Sequence, residues 1–175
     1  ERITMVLSMA PVLISQAVFP RASILYYEER TRFFSFLAKV ELATLAVGLM
    51  IIVGVQFTAP FIIQLIAGEA LGNAVLFLKI LSFIPLASGL NLGNMLIILV
   101  TEQKKVLFHS TWFFSVYMLA ASFFLTEFYG GVGLAIALIS TEVIIFIVTT
   151  LLLRKKEPNT LYQFYRAVFS SHSYS

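Results

Sequence analysis

Five apolar stretches, residues 3–19, 42–67, 74–100, 106–125 and 132–153, take up most of this 175-residue chain and leave little of it for any other kind of fold. An α-helix rises ~1.5 Å per residue, so ~30 Å of hydrocarbon needs about 20 apolar residues, and each stretch meets or approaches that length. Their composition agrees: 59% of residues are hydrophobic and 12% charged, against ~45–50% and ~25% in soluble domains. A water-soluble enzyme is excluded.

Apolar length alone does not separate a spanning helix from a buried one, but the distribution of basic residues does. The connection 20–41 carries Arg21, Arg30, Arg32 and Lys39, the break 101–105 carries Lys104 and Lys105, and the end of the chain carries Arg154, Lys155, Lys156 and Arg166. The intervening breaks, 68–73 and 126–131, have no Lys or Arg and hold Glu69 and Glu127. Basic residues on alternate connections put the first, the third and the C-terminus in the cytoplasm, which requires five crossings with Glu1 outside. The expected architecture is therefore an all-α, multi-pass helix bundle over 1–156 with a cytoplasmic tail over 157–175. A chain that starts at Glu1 with an odd number of crossings reads as the C-terminal piece of something longer.

Small and polar residues recur at helical spacing within the spans. Thr4, Ser8, Pro11 and Ser15 form one stripe, and Thr111, Ser115, Ser122 and Thr126 another. Gly89 and Gly93 make a Gly-x-x-x-Gly pair, and Gly133, Ala137 and Thr141 line one side of the last span. Small residues let helix backbones approach in lipid and hydroxyls bond across them, so the first expectation is helix packing, with a hydrated path as the alternative. Pro85, among Ser82, Ser88, Gly89 and Asn91, marks a candidate hinge, because proline removes a backbone hydrogen bond.

Two ionisable residues fall inside spans. Lys79 lies about 8 Å from the outer end of its helix and is able to snorkel. Glu142 lies about 15 Å deep, where an unpaired charge costs on the order of 3 kcal/mol, so it must face protein or water, with Lys79 as one partner within reach. Asn91 and Asn94 offer amides to a facing helix or to a sugar hydroxyl. Gln56 and Gln64 share a face with Pro60 near the outer end of their span. His109 reads as an interfacial residue.

Chemistry that breaks bonds finds no support. The chain has no Cys and no Asp, and only two His, so no metal site and no cofactor is expected. Gly130-Gly131-Val132-Gly133 resembles a phosphate loop only superficially, since no strand precedes it and no Gly-Lys-Ser/Thr follows. Nucleic acid is not an expected partner. The tail residues Leu161, Phe164, Tyr165, Val168 and Phe169 have helical spacing and either lie on the inner leaflet or fray.

The order of these pieces is similar to the C-terminal half of lipid-linked oligosaccharide flippases, the repeat-unit or O-antigen exporters of the MATE-like superfamily. The resemblance rests on Pro20-Arg21, Glu28-Glu29-Arg30, Thr58-Ala59-Pro60-Phe61 through Gly68-Glu69, Glu102-Gln103-Lys104-Lys105, Gly131-Val132-Gly133-Leu134-Ala135, Glu142 and Arg154-Lys155-Lys156, and it covers residues 8 to 156. It implies a two-lobed transporter of about twelve helices in which this chain supplies most of the second lobe. It implies alternating access that carries an undecaprenyl-pyrophosphate-linked oligosaccharide from the inner to the outer leaflet of the inner membrane. Lys79 and Arg21 are the implied anion-binding residues, with Asn91 and Asn94 as further substrate contacts, and Glu142 is the implied ion-coupling carboxylate. The implied partners are the glycolipid, membrane lipid, an N-terminal lobe of the same protein, and glycan polymerase and chain-length components. The competing readings are a multidrug antiporter of the same superfamily, a non-transporting scaffold of a glycan-assembly complex, and a membrane glycan polymerase or ligase. The last would need large outer loops bearing Arg, His or Asp, and the chain has none.

Overall fold

The structure, a computed structural model, describes residues 16–67 and 72–170. Among the described residues every regular element is a helix: α1 over 16–28, then α2 (Arg30–Ala67), α3 (Gly72–Leu81), α4 (Ile84–Val100), α5 (Lys104–Lys156) and α6 (Pro158–Ser170). Most of the first expected span, with the stripe Thr4, Ser8, Pro11 and Ser15, lies outside the described residues, as do Glu69 and His172.

The charged segment expected to be a connection is helical. α2 runs for 38 residues, about 57 Å, roughly twice what the hydrocarbon layer requires. Its first turns fold because Phe33, Phe34, Leu37 and Ala38 recur at helical spacing and are buried, while Arg30, Arg32 and Lys39 stay exposed. α1 packs back on this end of α2: Tyr26 meets the Phe33 ring edge-on at 5.3 Å, and the Arg21 guanidinium lies 5.5 Å over Phe36.

The stretch 74–100 is broken in the middle, between α3 and α4, where Pro85 occupies the first turn of α4. Proline has no N–H to give to the carbonyl four residues back. The preceding backbone tightens accordingly, and the Phe83 amide bonds Ile80 O (3.1 Å), which leaves the Lys79 carbonyl without it. That carbonyl accepts instead from Ser82 Oγ (2.7 Å) and from Gln56 Nε2 on α2 (3.2 Å). An orphan carbonyl at membrane depth would cost several kcal/mol, so Gln56 has a structural use that its position in the sequence did not reveal.

α5 is 53 residues long and reverses at Gly130, whose φ of 59° and ψ of −139° lie where only glycine is comfortable. The arms on either side, 104–129 and 131–156, run antiparallel, since Tyr117 donates to Ser140 Oγ at 3.2 Å across the turn. Gly133 faces the Leu125 backbone so closely that a Cβ would overlap its carbonyl oxygen.

α4 is the central helix, packed between α2 and α5, with Asn91, Leu92, Gly93, Asn94, Leu96, Ile97 and Ile98 all buried. The outward faces are apolar: Phe57, Phe61 and Leu65 on α2, and Trp112, Leu119, Phe123 and Phe124 on α5, are more than half exposed. Polar side chains inside and large apolar ones outside are the arrangement that lipid demands. Three helical runs, Arg30–Ile66, Gly72–Val100 and Ser110–Lys156, are long and apolar enough to cross a membrane.

Candidate functional site: a cavity beside α4

α4 presents two asparagines one turn apart to the second arm of α5. Asn91 Nδ2 donates to Glu142 Oε2 (2.7 Å) and to the Glu142 backbone carbonyl (3.0 Å). Asn94 Nδ2 donates to Thr150 Oγ1 (2.7 Å) and Thr149 Oγ1 (3.3 Å). The amide oxygens Asn91 Oδ1 and Asn94 Oδ1 are buried with no hydrogen-bond partner among the described residues, which leaves spare acceptors in this layer.

A cavity of about 310 Å³ opens beside this ladder, between α4 and the two arms of α5. Its apolar wall is Met95, Ile98, Phe114, Met118 and Ile145, and its polar wall is Asn91, Ser110, Thr111, Ser115, Thr141 and Thr149. Both arms of α5 contribute to this lining, Ser110 to Met118 from the first and Thr141 to Thr149 from the second. Thr141 and Thr149 also return their hydroxyl protons to Ala137 O and Ile145 O (2.8 and 2.7 Å), so each has an oxygen lone pair left to offer. The surface open to the cavity is almost wholly apolar, so it suits an apolar ligand or the apolar part of a larger one.

The residues expected to form a site divide into two groups. Asn91, Asn94 and Glu142 are brought together on α4 and α5. Lys79 and Arg21 are not. Lys79 is half-buried on α3, twelve residues or about 18 Å before Asn91. No carboxylate lies within ion-pair distance of it among the described residues, so Glu142 pairs with an amide and not with Lys79. Arg21 is exposed at the α1 end and stacks on Phe36. Of the hydroxyl stripe on the first arm of α5, Thr111 and Ser115 line the cavity, Ser122 is partly buried and Thr126 is exposed. The side chain of His109 lies outside what is described.

A second carboxylate went unread. Glu41, assigned to a connection, is 5% exposed and accepts the Gly93 amide at 2.8 Å. It belongs to the buried stripe of α2 that continues through Phe33, Leu37, Glu41, Thr44 and Gly48, a periodicity visible once residues 30–41 are taken as helix. Opposite it, α6 inserts Phe164 (1% exposed), whose ring would collide with any Cβ on Gly93. Tyr165 follows: burial pushes its phenol above the usual 10, a hydrogen bond with Thr150 opposes that rise, and the Glu41 carboxylate adds to it. The tail thus closes the Val100 end of the bundle over α2, α4 and α5.

Among the described residues no group of His and Glu is placed to hold a metal ion. No protein-family model, curated protein or solved structure matches this chain.

Proposed function

We propose that this chain is the second transmembrane lobe of an inner-membrane exporter that flips undecaprenyl-pyrophosphate-linked oligosaccharide repeat units for polysaccharide biosynthesis. The observation that carries the reading is the cavity beside α4, an apolar space walled by methionine, isoleucine and phenylalanine, with Asn91 at its edge. The lipid part of a lipid-linked sugar needs such a wall, and a purely structural helix seam needs neither a cavity nor spare acceptors. Five crossings follow from the same reading. The reversal at Gly130 divides α5 into two arms of about 39 Å each, enough for one crossing apiece. Residues 3–19 supply a fifth, and the basic connections place the C-terminus in the cytoplasm.

In this mechanism Glu142 couples an ion to movement. Ionised, it accepts the Asn91 amide and ties the second arm of α5 to α4. Protonated, Oε2 becomes a poorer acceptor, the tie weakens, and α4 is freed to pivot at the Ser82–Phe83 break above Pro85. Asn91 contacts the sugar while Asn94 holds Thr149 and Thr150 behind the cavity wall, Lys79 and Arg21 attract the pyrophosphate from the two ends of the bundle, and the N-terminal lobe completes the cavity. The protein changes no covalent bond.

A second reading has one observation in its favour: among the described residues no Lys or Arg lines the cavity, while Glu142 stands behind its wall. That suits a lipophilic cation better than a pyrophosphate and corresponds to a multidrug antiporter. The test is flux in cells whose surface glycan depends on the intact protein. Glu142→Gln keeps a carbonyl oxygen for Asn91 and therefore the fold, and it is expected to lower glycan export several-fold at normal expression. Wild-type export by a well-folded Glu142→Gln protein removes Glu142 from the mechanism. Unchanged glycan with altered resistance to lipophilic cations selects the antiporter, and loss of glycan only when the protein is deleted altogether selects a scaffold.

A further inference from the structure

α6 carries two stripes. Thr160, Leu161 and Phe164 are buried against the bundle. On the far side Tyr162, Arg166 and Phe169, spaced i, i+4, i+7, are exposed, the two aromatics at 68% and 77%. The buried stripe fixes the level at which the helix sits. Phe164 packs on Gly93, and Gly93 is seven residues, or about 10 Å, before the cytoplasmic end of α4 at Val100. α6 therefore lies alongside the Val100 end of the bundle and not beyond it, which in a bundle embedded with that end at the inner surface is the depth where lipid headgroups meet acyl chains. The exposed run Arg154, Lys155 and Lys156 enters α6 from the same end. Among the described residues none of these three, nor Arg166, is within ion-pair distance of a carboxylate.

We infer that the outward face of α6 is a binding surface for anionic phospholipid headgroups of the inner leaflet, with Arg166 and the Arg154–Lys156 run holding the phosphates and Tyr162 and Phe169 inserted between lipids. Two observations carry it independently of the transported substrate: the depth set by the Phe164–Gly93 contact, and unpaired basic charge flanked by exposed aromatics. Aromatic and basic side chains at an interface are the pairing by which helices anchor to anionic membranes. The inference rests on membrane embedding and not on the flippase reading, so either can fail alone. It also assigns a role to residues for which the glycan cavity has no use.

The chain has no cysteine, so a single reporter cysteine is easily introduced. The intact protein carrying Phe169→Cys labelled with nitrobenzoxadiazole is placed in nanodiscs of phosphatidylcholine containing an equal fraction of either brominated phosphatidylglycerol or brominated phosphatidylcholine. Bromine quenches only by contact. The expected result is quenching by both lipids, with the anionic lipid enriched at the label by about fivefold or more, the factor that one basic residue near an anionic surface supplies. Replacing Arg154, Lys155, Lys156 and Arg166 with Gln should bring the two lipids level while leaving the label in lipid. All four are exposed, so the fold is retained, and the same label at Tyr162→Cys provides a second reading. No quenching by either lipid means that protein or water covers this face, and equal quenching in the unaltered basic background means that it has no headgroup preference. Either result overturns the inference. Transport measured on the four-Gln protein reports separately on the proposed function.

Discussion

Four glycines on α2 and α4 provide a graded test of how closely these helices pack. A Cβ added at Gly54 meets nothing within 4 Å. At Gly89 it comes to 3.3 Å from the Thr44 methyl, which has room to yield by tenths of an ångström. At Gly48 it reaches 2.9 Å from the Leu86 Cα, which is backbone and moves only if the helices separate. At Gly93 it overlaps both the Glu41 carboxylate and the Phe164 ring. Gly54→Ala should therefore be neutral or stabilising by up to about 1 kcal/mol through lower backbone entropy in the unfolded chain. Gly89→Ala should cost less than about 1 kcal/mol, and Gly48→Ala about 1–3 kcal/mol as an overpacked contact. Gly93→Ala should be the worst. Expelling Phe164 forfeits about 1.5–3 kcal/mol of burial, and loss of the Gly93–Glu41 hydrogen bond adds about 1–2 kcal/mol, for a total of about 2.5–5 kcal/mol. The assay is unfolding of each variant of the intact protein in the same mixed micelle. A double-mutant cycle with Phe164→Leu should recover more than about 1 kcal/mol in the Gly93→Ala background, because the smaller side chain leaves room for the methyl. A Gly93→Ala protein as stable as the parent, or one not helped by Phe164→Leu, would refute the docking of α6 on α4. If Gly54→Ala proved the most damaging of the four, the orientation of α2 would be wrong.

Gln56→Leu should destabilise by about 0.6–2 kcal/mol, since the Lys79 carbonyl keeps the Ser82 hydroxyl but loses its second donor; unfolding in the same micelle measures it, and an unchanged midpoint contradicts the assigned use of Gln56. Gly130→Ala and Gly130→Asn should each cost about 1–3 kcal/mol although a Cβ has open space there, because the penalty comes from φ and ψ and the ψ of −139° lies outside the left-handed region that asparagine tolerates; stability equal to the parent in either variant would contradict the reversal there. Asn91→Leu should destabilise more than Glu142→Gln, because it strands the Glu142 carboxylate without its donor whereas the Gln variant retains an acceptor; the reverse order would contradict the pairing. Tyr165 has a folded phenol pKa raised above 10, so its contribution is complete below pH 10 and declines as pH rises beyond it. Tyr165→Phe should flatten that alkaline decline, and an identical pH profile for the two proteins would show that Tyr165 is not buried.

Much of this arrangement was legible along the chain because the bilayer imposes a length and an apolarity that a sequence displays directly. The helical class, the long apolar runs, the weak point at Pro85 and the turn at Gly130-Gly131 are local properties, and each appears where the residues indicate it. Glu142 was also legible as a residue in need of a partner, since a carboxylate so deep cannot be left alone. Its partner was not legible: Asn91 is 51 residues away, and which of Lys79 and Asn91 it meets depends on the rotation of α4 about its own axis. Glu41 was misplaced for a related reason. Charges on both sides made residues 20–41 look like a loop, while the stripe Phe33, Leu37, Glu41 and Thr44 acquires meaning only when α4 and α6 are present to cover it.

The amino-acid sequence by itself determined that this protein is helical, with runs long and apolar enough to cross a membrane, because those properties follow from composition and from spacing along one strand of chain. Tertiary structure alone decided which polar groups satisfy one another, where the cavity opens, and that the amphipathic tail is built into the fold instead of trailing from it. Hydrogen bonds between helices are short-range and directional, and helices that share the same apolar exterior can be rotated or shifted by a residue with no change in hydropathy. Only the close approach at Gly48, Gly89 and Gly93 removes that freedom, and it exists only once the helices have packed.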